Sequence, residues 1–371
     1  MAEPDNSNAG VLDIVIDIGS SNCKLGFAGD DDPQANLHSV LCQLQHSSYI
    51  GRMAKTQQET VTQTYPIVDG IVSNWDAMET FWTHAFYDQL RVSPEGKSVL
   101  VTDSPLNSTL NREKMAQIMF ESFSVSAFYV AMQAVLSLYA SGRTTGVVVD
   151  SGESFTHSVP VYEGIPLRHA IQRTGIAGRR LTDYTWTNLL ERGYFVGPSD
   201  RQCVEAVKEE LCYIALDYEQ ELQCEADPNY LTAKTYQLPD GKSITMGKDS
   251  FRIPEPLFQP SLLGLDIFGV HDATYSSIQK CDIDVQNEFY NNIVLSGGNT
   301  MLSGFRDRMV KELTALIPAS MGLYIVAPPE RRFSAWIGGS IIGSMGSYRD
   351  RWCSKQEYEE SGSGIIPRKF A

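Results

Sequence analysis

Two short stretches carry the residue types needed to hold a phosphate and a hard cation together: Asp17-Ile18-Gly19-Ser20-Ser21 and Asp150-Ser151-Gly152-Glu153-Ser154. Small residues let consecutive backbone N–H groups close around an anion. The hydroxyls of Ser20, Ser21, Ser151 and Ser154 add donors. An acid beside phosphate would repel it unless a cation such as Mg²⁺ lay between them, and each stretch holds one, Asp17 and Asp150. Lys24 follows the first turn and is either a point charge for a phosphate or a solvated lysine. A single Asp-x-Gly turn is most often a plain hairpin turn, so the repetition is the stronger signal. A third small-residue turn, Ser296-Gly297-Gly298-Asn299-Thr300, precedes a helix from about Ser303. It has the makings of an anion platform at a helix start.

The elements that position these turns follow from the flanking residues. Val11–Ile16 and Gly146–Val149 are apolar, β-branched runs that suit buried strands, and each resumes after its turn, over Cys23–Gly29 and from Phe155 to Val161. A strand, a turn and a strand used twice indicates a duplicated domain. Residues 1–10 read as a disordered tail. Residues 30–64 lose the pattern and read as a mobile excursion with little core. Asp76–Leu90 has helical spacing, Ser98–Asp103 is a strand, and Asn111 caps a helix running through Phe120. Ser126–Ala140 reads as one buried helix stopped at Ser141-Gly142. Gln133, its one amide, is either a core hydrogen bonder or a site group. Ala177–Arg180 opens another helix. Ser199 begins the next, with Gln202 at the capping-box place. There Val204, Val207, Leu211 and Ile214 line one face, with Lys208 and Glu209 on the other. A hairpin is expected around Asp240-Gly241 and strands over Asn292–Leu295 and Met321–Val326. Phe258–Gly269 is an apolar loop, hence a contact surface or a buried loop. The glycines of Ser334–Ser340 allow close helix packing.

Composition narrows the field. The chain has 371 residues, 42% of them apolar, and a net charge of −15, so nucleic acid and anionic membranes are poor partners. No apolar run reaches the length needed to insert into a membrane. The polar, acidic start fits neither a signal nor a transit peptide, so a cytosolic or nuclear chain is expected. Seven scattered cysteines without a Cys-x-x-Cys pair read as free thiols. No His/Cys grouping has zinc spacing.

Longer runs carry a resemblance. Gly26-Phe27-Ala28-Gly29-Asp30-Asp31, Asn111-Arg112-Glu113-Lys114-Met115, the stretch from Gln133 to Gly146, Phe258-Gln259-Pro260-Ser261, Leu295-Ser296-Gly297-Gly298, Trp336-Ile337-Gly338-Gly339-Ser340 and Ser354-Lys355-Gln356-Glu357-Tyr358 resemble actin sequences nearly verbatim. The resemblance spans almost the whole chain and is weak only over 35–64. It implies an α/β, two-lobed actin-like ATPase fold of duplicated ribonuclease-H-like domains, with a nucleotide cleft between the lobes. The small lobe would be 1–140 plus 333–371, with 35–64 inserted. The large lobe would be 141–332, with about 177–268 inserted. ATP or ADP with Mg²⁺ or Ca²⁺ would be the cofactors. Asp17, Gly19, Ser20, Ser21, Asn22 and Lys24 would form the first phosphate loop, and Asp150, Ser151, Gly152, Glu153, Ser154 and Phe155 the second. Asp17 and Asp150 would hold the cation through water. Gly178, Lys208 and Glu209 would flank ribose and adenine, while Gly297, Gly298, Asn299, Met301 and Leu302 would close the base pocket beside Arg332. Gln133, Asp150 and His157 would position the hydrolytic water.

The sequence also departs from the family. Ser21 stands where actin has glycine, which would strain a turn needing an unusual φ. Glu153-Ser154 replaces Asp-Gly, and a longer carboxylate would shift the cation or its waters. Arg332 replaces lysine, Leu302 a tyrosine, and Asp69 the modified histidine. Leu41–Gly51 is shorter than the segment that inserts into the next filament subunit. Two readings follow. One is a divergent actin that self-associates into cytoskeletal filaments with slow ATP hydrolysis and meets profilin- or cofilin-type proteins near Tyr139, Ala140, Gly142 and Arg143. The other is a non-polymerising actin-related protein that uses nucleotide structurally within a larger complex.

Overall fold

β-Branched and apolar residues fill the first strands, as the sequence requires of strands covered on both faces. The computed structural model describes residues 13–44, 47–50, 62–194, 200–224, 234–238 and 241–370. The expected tail over residues 1–10, the strand start at Val11, the 51–61 part of the polar stretch, Ser199 and Asp240 lie outside them. The chain forms two compact units, 1–142 with 333–371, and 143–332.

In the first unit, β1 (Ile14–Asp17) runs antiparallel to β2 (Asn22–Phe27), in register from Ile14 opposite Phe27 to Asp17 opposite Lys24. β3 (Ala35–His38) continues on the far side of β2. β4 (Ser98–Asp103) lies parallel to β1, and β5 (Ala127–Met132) parallel to β4. The short strand Cys353–Ser354 closes the β5 edge. Ile14, Ile16, Phe81, Trp82, Phe86 and Phe128 are fully buried in one cluster of this unit.

The second unit repeats the plan. β6 (Gly146–Ser151) runs antiparallel to β7 (Thr156–Tyr162), which pairs with β8 (Ile165–Pro166). β9 (Ile293–Ser296) lies parallel to β6, and β10 (Ile325–Val326) parallel to β9. The order β10-β9-β6-β7-β8 has the same directions as β5-β4-β1-β2-β3. This is the mixed α/β architecture of the two-lobed actin-like ATPase fold.

Several local expectations need correction. Ser126–Ala140 is a strand, β5, followed by the helix Gln133–Ala140. A continuous apolar run does not separate a buried strand from a buried helix, and the aromatic and β-branched residues Phe128, Tyr129 and Val130 decide for the strand. Gln133 therefore opens the helix. Residues 30–64 are not structureless: β3 joins the large sheet, and Leu41–Leu44, Ser47–Ile50 and Thr62–Thr64 form a small sheet of their own. Ser108, not Asn111, caps its helix, accepting from the Asn111 N–H. The expected helix over 76–90 is α-helical for Trp75–His84 and π-helical for Ala85–Leu90. Of the strand expected over Met321–Val326, only Ile325–Val326 forms.

The helix Ser334–Ser344 packs on the helix Gln133–Ala140, with Trp336 donating its indole N–H to the Val15 carbonyl at 3.1 Å. Among the described residues no helix is long and apolar enough to cross a membrane.

Candidate functional site

The first hairpin delivers Asp17 from the end of β1. It is buried, with 2% exposure. Lys24, opposite it on β2, places Nζ 2.8 Å from Oδ2. This answers the choice left by the sequence: Lys24 is neither free in solvent nor distant from the turn. Thr102 Oγ1 donates to Asp17 Oδ1 at 2.7 Å and Gln133 Nε2 donates to the same oxygen at 2.9 Å. Burial pushes this carboxyl up, but the Lys24 charge and the hydrogen bonds from Lys24, Thr102 and Gln133 together outweigh it, holding Asp17 below the usual carboxylate range.

The turn itself is anchored by side chains. Ser39 Oγ donates to the Gly19 carbonyl at 2.6 Å, and Ser20 Oγ accepts from the Gly70 N–H at 2.8 Å. Ser21 Oγ donates to Asn22 Oδ1, and Asn22 Nδ2 to Asn36 Oδ1. Ser21 is not among the residues with positive φ, so the expected strain of a side chain there does not arise. A serine fits because this turn keeps ordinary backbone angles.

In the second unit, Asp150 sits opposite His157 across β6 and β7, as Asp17 sits opposite Lys24. The turn closes with the Gly152 N–H donating to the Phe155 carbonyl at 3.1 Å. Gly178, opening the helix Gly178–Glu191, donates its N–H to the Gly152 carbonyl at 2.9 Å, and Arg179 N–H donates to the Glu153 carbonyl. Asn299 Nδ2 donates to Ser151 Oγ at 3.0 Å and to the Gly152 carbonyl at 2.6 Å. Gly297 approaches so closely that a Cβ there would lie 2.3 Å from the Ser151 carbonyl, with φ at +87°. Only glycine suits that position.

Ser151 departs from the role expected of it. Thr156 Oγ1 donates to the Ile176 carbonyl, so the Ser151 proton goes to Thr156 at 2.7 Å. The Ser151 hydroxyl is wholly buried and used inside the fold; it is not a donor for phosphate. Ser154 Oγ is 3.5 Å from Arg179 Nη2.

Lys208 overturns the expected placement of the pair at 208 and 209. It is buried, and Nζ donates to Thr182 Oγ1 at 3.0 Å and to the Gly178 carbonyl at 3.3 Å. On the helix Arg201–Leu211, Lys208 lies four residues after Val204 and three before Leu211, so it continues their stripe. The helix begins at Arg201, with Asp200 as its cap residue. Glu209 is half exposed and 3.9 Å from Arg332, too far for a hydrogen bond. Burial and neighbouring Glu205 push the Glu153 carboxyl up, partly opposed by Lys208, Arg179 and Arg201. Gly298 starts a tight 3₁₀ turn, Met301 is exposed, and Leu302 packs into the hydrophobic core. Gly152, Gly178, Asn299 and Lys208 thus form one connected group, whereas Arg332 and Glu209 stand at its margin.

His157 is 7% exposed, and its Nε2 has no partner among the described residues. Arg173 stacks 3.9 Å over the Phe155 ring, whose centroid is 6.0 Å from that of His157. Burial, and secondarily the Arg173 charge, lowers the imidazole pKa from 6.5 to about 4. His157 is therefore neutral at pH 7. Because the folded value lies below the unfolded one, the unfolded chain binds more protons between pH 6.5 and 4, and stability falls as pH drops through that window. The full loss is about 3 kcal/mol. In urea titrations at pH 7.0 and 4.5, His157→Asn should lose distinctly less stability than the wild type. Equal losses would remove His157 as the cause.

Among the described residues no group of three or more His, Cys, Asp or Glu side chains could hold a metal ion. Asp17 is an ionised carboxylate already engaged by three donors. That donor set fits a divalent cation reached through water and completed by phosphate oxygens, the coordination Mg²⁺ prefers.

Sequence reasoning missed Thr102, a buried hydroxyl beside Asp17. Its place depends on the parallel pairing of β1 with β4, which brings it to Ile18 from 84 positions along the chain, and no local signal marks it. Ser39 and Thr182 were missed too; they meet the Gly19 carbonyl and Lys208 through tertiary packing. The family model described as Actin matches residues 9–371 of the chain.

Proposed function

The chain belongs to the actin family, and from that premise we propose that it binds ATP or ADP with a divalent cation, hydrolyses ATP slowly and assembles into filaments. Family members generally bind these nucleotides with such a cation. The observation that carries the hydrolytic part is His157, a buried neutral imidazole opposite Asp150 whose Nε2 has no partner among the described residues. A buried polar atom of this kind calls for a water or a ligand group. In the first unit we assign Asp17 and Lys24 to the cation and phosphates, and Gln133 to the reacting water. In the second we assign the 150–155 turn, apart from the Ser151 hydroxyl, to the phosphates, Gly178 and Lys208 to the sugar and base, and Asp150 with His157 to the water. The bound cation would neutralise phosphate charge; the residues themselves do little beyond positioning and proton handling.

Asp150→Asn removes the acid and keeps the shape. We expect single-turnover hydrolysis to slow by about 100-fold, the scale of a lost acid–base group, while ATP affinity changes far less. Unchanged phosphate release at saturating Mg-ATP would sink this assignment.

Assembly is supported by the loop after Phe258. Phe258 and Pro260 are buried, whereas Leu262, Ile267 and Phe268 are exposed at 43%, 44% and 53%. Apolar side chains grouped on one exposed loop favour a contact surface. A second reading, a non-polymerising subunit of a larger cytoplasmic or nuclear complex, is favoured by the short 41–51 segment. High-speed sedimentation over a concentration series in Mg-ATP separates the two. A pellet above a sharp critical concentration supports the filament; a protein that binds ATP yet stays soluble throughout supports the second reading.

A further inference from the structure

The hydrogen bonds around Asp17 decide which end of the Gln133 amide faces outward, and they converge on Thr102. Thr102 is fully buried on β4, one place beyond Val101, which pairs with Ile16. The Ile18 N–H donates to Thr102 Oγ1 at 3.1 Å. The single Thr102 proton goes to Asp17 Oδ1 at 2.7 Å, because an ionised carboxylate only accepts. Gln133 Nε2 then lies 2.9 Å from Asp17 Oδ1, 2.8 Å from the Ile18 carbonyl and 3.3 Å from Thr102 Oγ1. The first two are pure acceptors. A flipped amide would set Oε1 against a carboxylate oxygen and a carbonyl oxygen, so the network permits one orientation.

We propose that Thr102 is a positioning residue for ATP hydrolysis: it fixes the Asp17 carboxylate and the Ile18 backbone, and through them holds Gln133 with Nε2 inward and Oε1 as the end offered to the reacting water. The proposal rests on the hydrolytic reading above. Oε1 can only accept, so it orients a water by accepting a hydrogen bond from one O–H and leaving a lone pair directed for attack. The two acceptors of Nε2 are attached to one another through the chain at positions 17 and 18. Thr102 also touches both residues, accepting from the Ile18 N–H and donating to the Asp17 carboxylate. Without it, the Ile18 N–H is buried and unpaired, and the Asp17 oxygen loses its shortest contact.

The test compares Thr102→Val, which keeps the shape and removes the hydroxyl's contacts with Ile18, Asp17 and Gln133, with Thr102→Ser, which keeps the hydroxyl. Thr102→Cys, a weak donor and acceptor, serves if the valine variant does not fold. The first readout needs no turnover: hydrogen exchange of the Gln133 side-chain amide in protein labelled with ¹⁵N-glutamine. Exchange should be about tenfold faster in the valine variant, as expected for a lost buried hydrogen bond, intermediate in the cysteine variant, and unchanged in the serine variant. The second is single-turnover hydrolysis at saturating Mg-ATP, alongside ATP affinity. Hydrolysis should slow about tenfold with valine, and affinity should move by less than about threefold. Wild-type exchange and rate in the valine or cysteine variant would overturn the proposal, as would a serine variant as slow as valine. A wild type that binds ATP without hydrolysing it, with the exchange pattern intact, overturns the hydrolytic reading and leaves the amide assignment standing.

Discussion

Gly338→Val should leave little or no folded protein. Gly338 lies in the helix Ser334–Ser344, where an added Cβ would sit 1.9 Å from the carbonyl oxygen of Leu136 and 2.5 Å from its carbonyl carbon. Both are backbone atoms of the helix Gln133–Ala140, so no side chain can swing aside. The two helices would have to separate, reopening the packing around Trp336 and Leu136, both fully buried. Overpacking a core usually costs about 1–3 kcal/mol. Here the clash is with backbone, and the loss should exceed about 4 kcal/mol, a large part of a domain's net stability. Gly346→Ala is the control, since nothing lies within 4 Å of a Cβ there. Urea denaturation, with soluble yield, checks both. A Gly338→Val protein with the wild-type midpoint would mean the helices do not pack this closely.

Arg308→Met should be nearly as damaging in the second unit. Arg308 holds Glu255 by two contacts, Nη2 to Oε1 at 2.8 Å and Nη1 to Oε2 at 3.1 Å. It also donates to the Ala215 carbonyl and, through Nε, to Glu312. Glu255 has no exposed surface. Removing the arginine strands a carboxylate in the interior, which costs about 3–5 kcal/mol. Replacing both partners, Arg308→Met with Glu255→Leu, should recover much of that loss. Denaturation of the two single variants and the double variant forms the cycle. If the double variant is no better than the arginine variant alone, the unpaired charge is not what destabilises it.

The hairpins were legible because each acid stands between β-branched runs with a small-residue turn behind it. Burial on two faces leaves a continuous apolar run, and that is why β5 and the following helix were first merged. The boundary falls at Gln133, the one amide of the run, whose side chain is tied to Asp17 and not to its own helix. Lys208 was misplaced for a different reason. Its charge argues for solvent, while its spacing from Val204 and Leu211 argues for the buried stripe; Thr182 and the Gly178 carbonyl resolve the conflict by satisfying the ammonium. Strands in residues 30–64 were hidden because short edge strands and a small side sheet need few apolar residues. Thr102 and Ser39 could not be found at all, since their partners are set by sheet register and not by neighbours in the chain.

The two units share a strand order and an aspartate at the same point of the first hairpin, yet the facing residue is a lysine paired with it in one and a neutral imidazole in the other. If both descend from one ancestral copy, they are no longer interchangeable. A genetic exchange that carried lysine to position 157 would bring an ammonium into a pocket already under the influence of Arg173, where like charge disfavours it. The reverse exchange would strip Asp17 of its counter-charge. The internal symmetry of this chain is thus one of strand order and aspartate placement, and it stops at the side chain each aspartate faces.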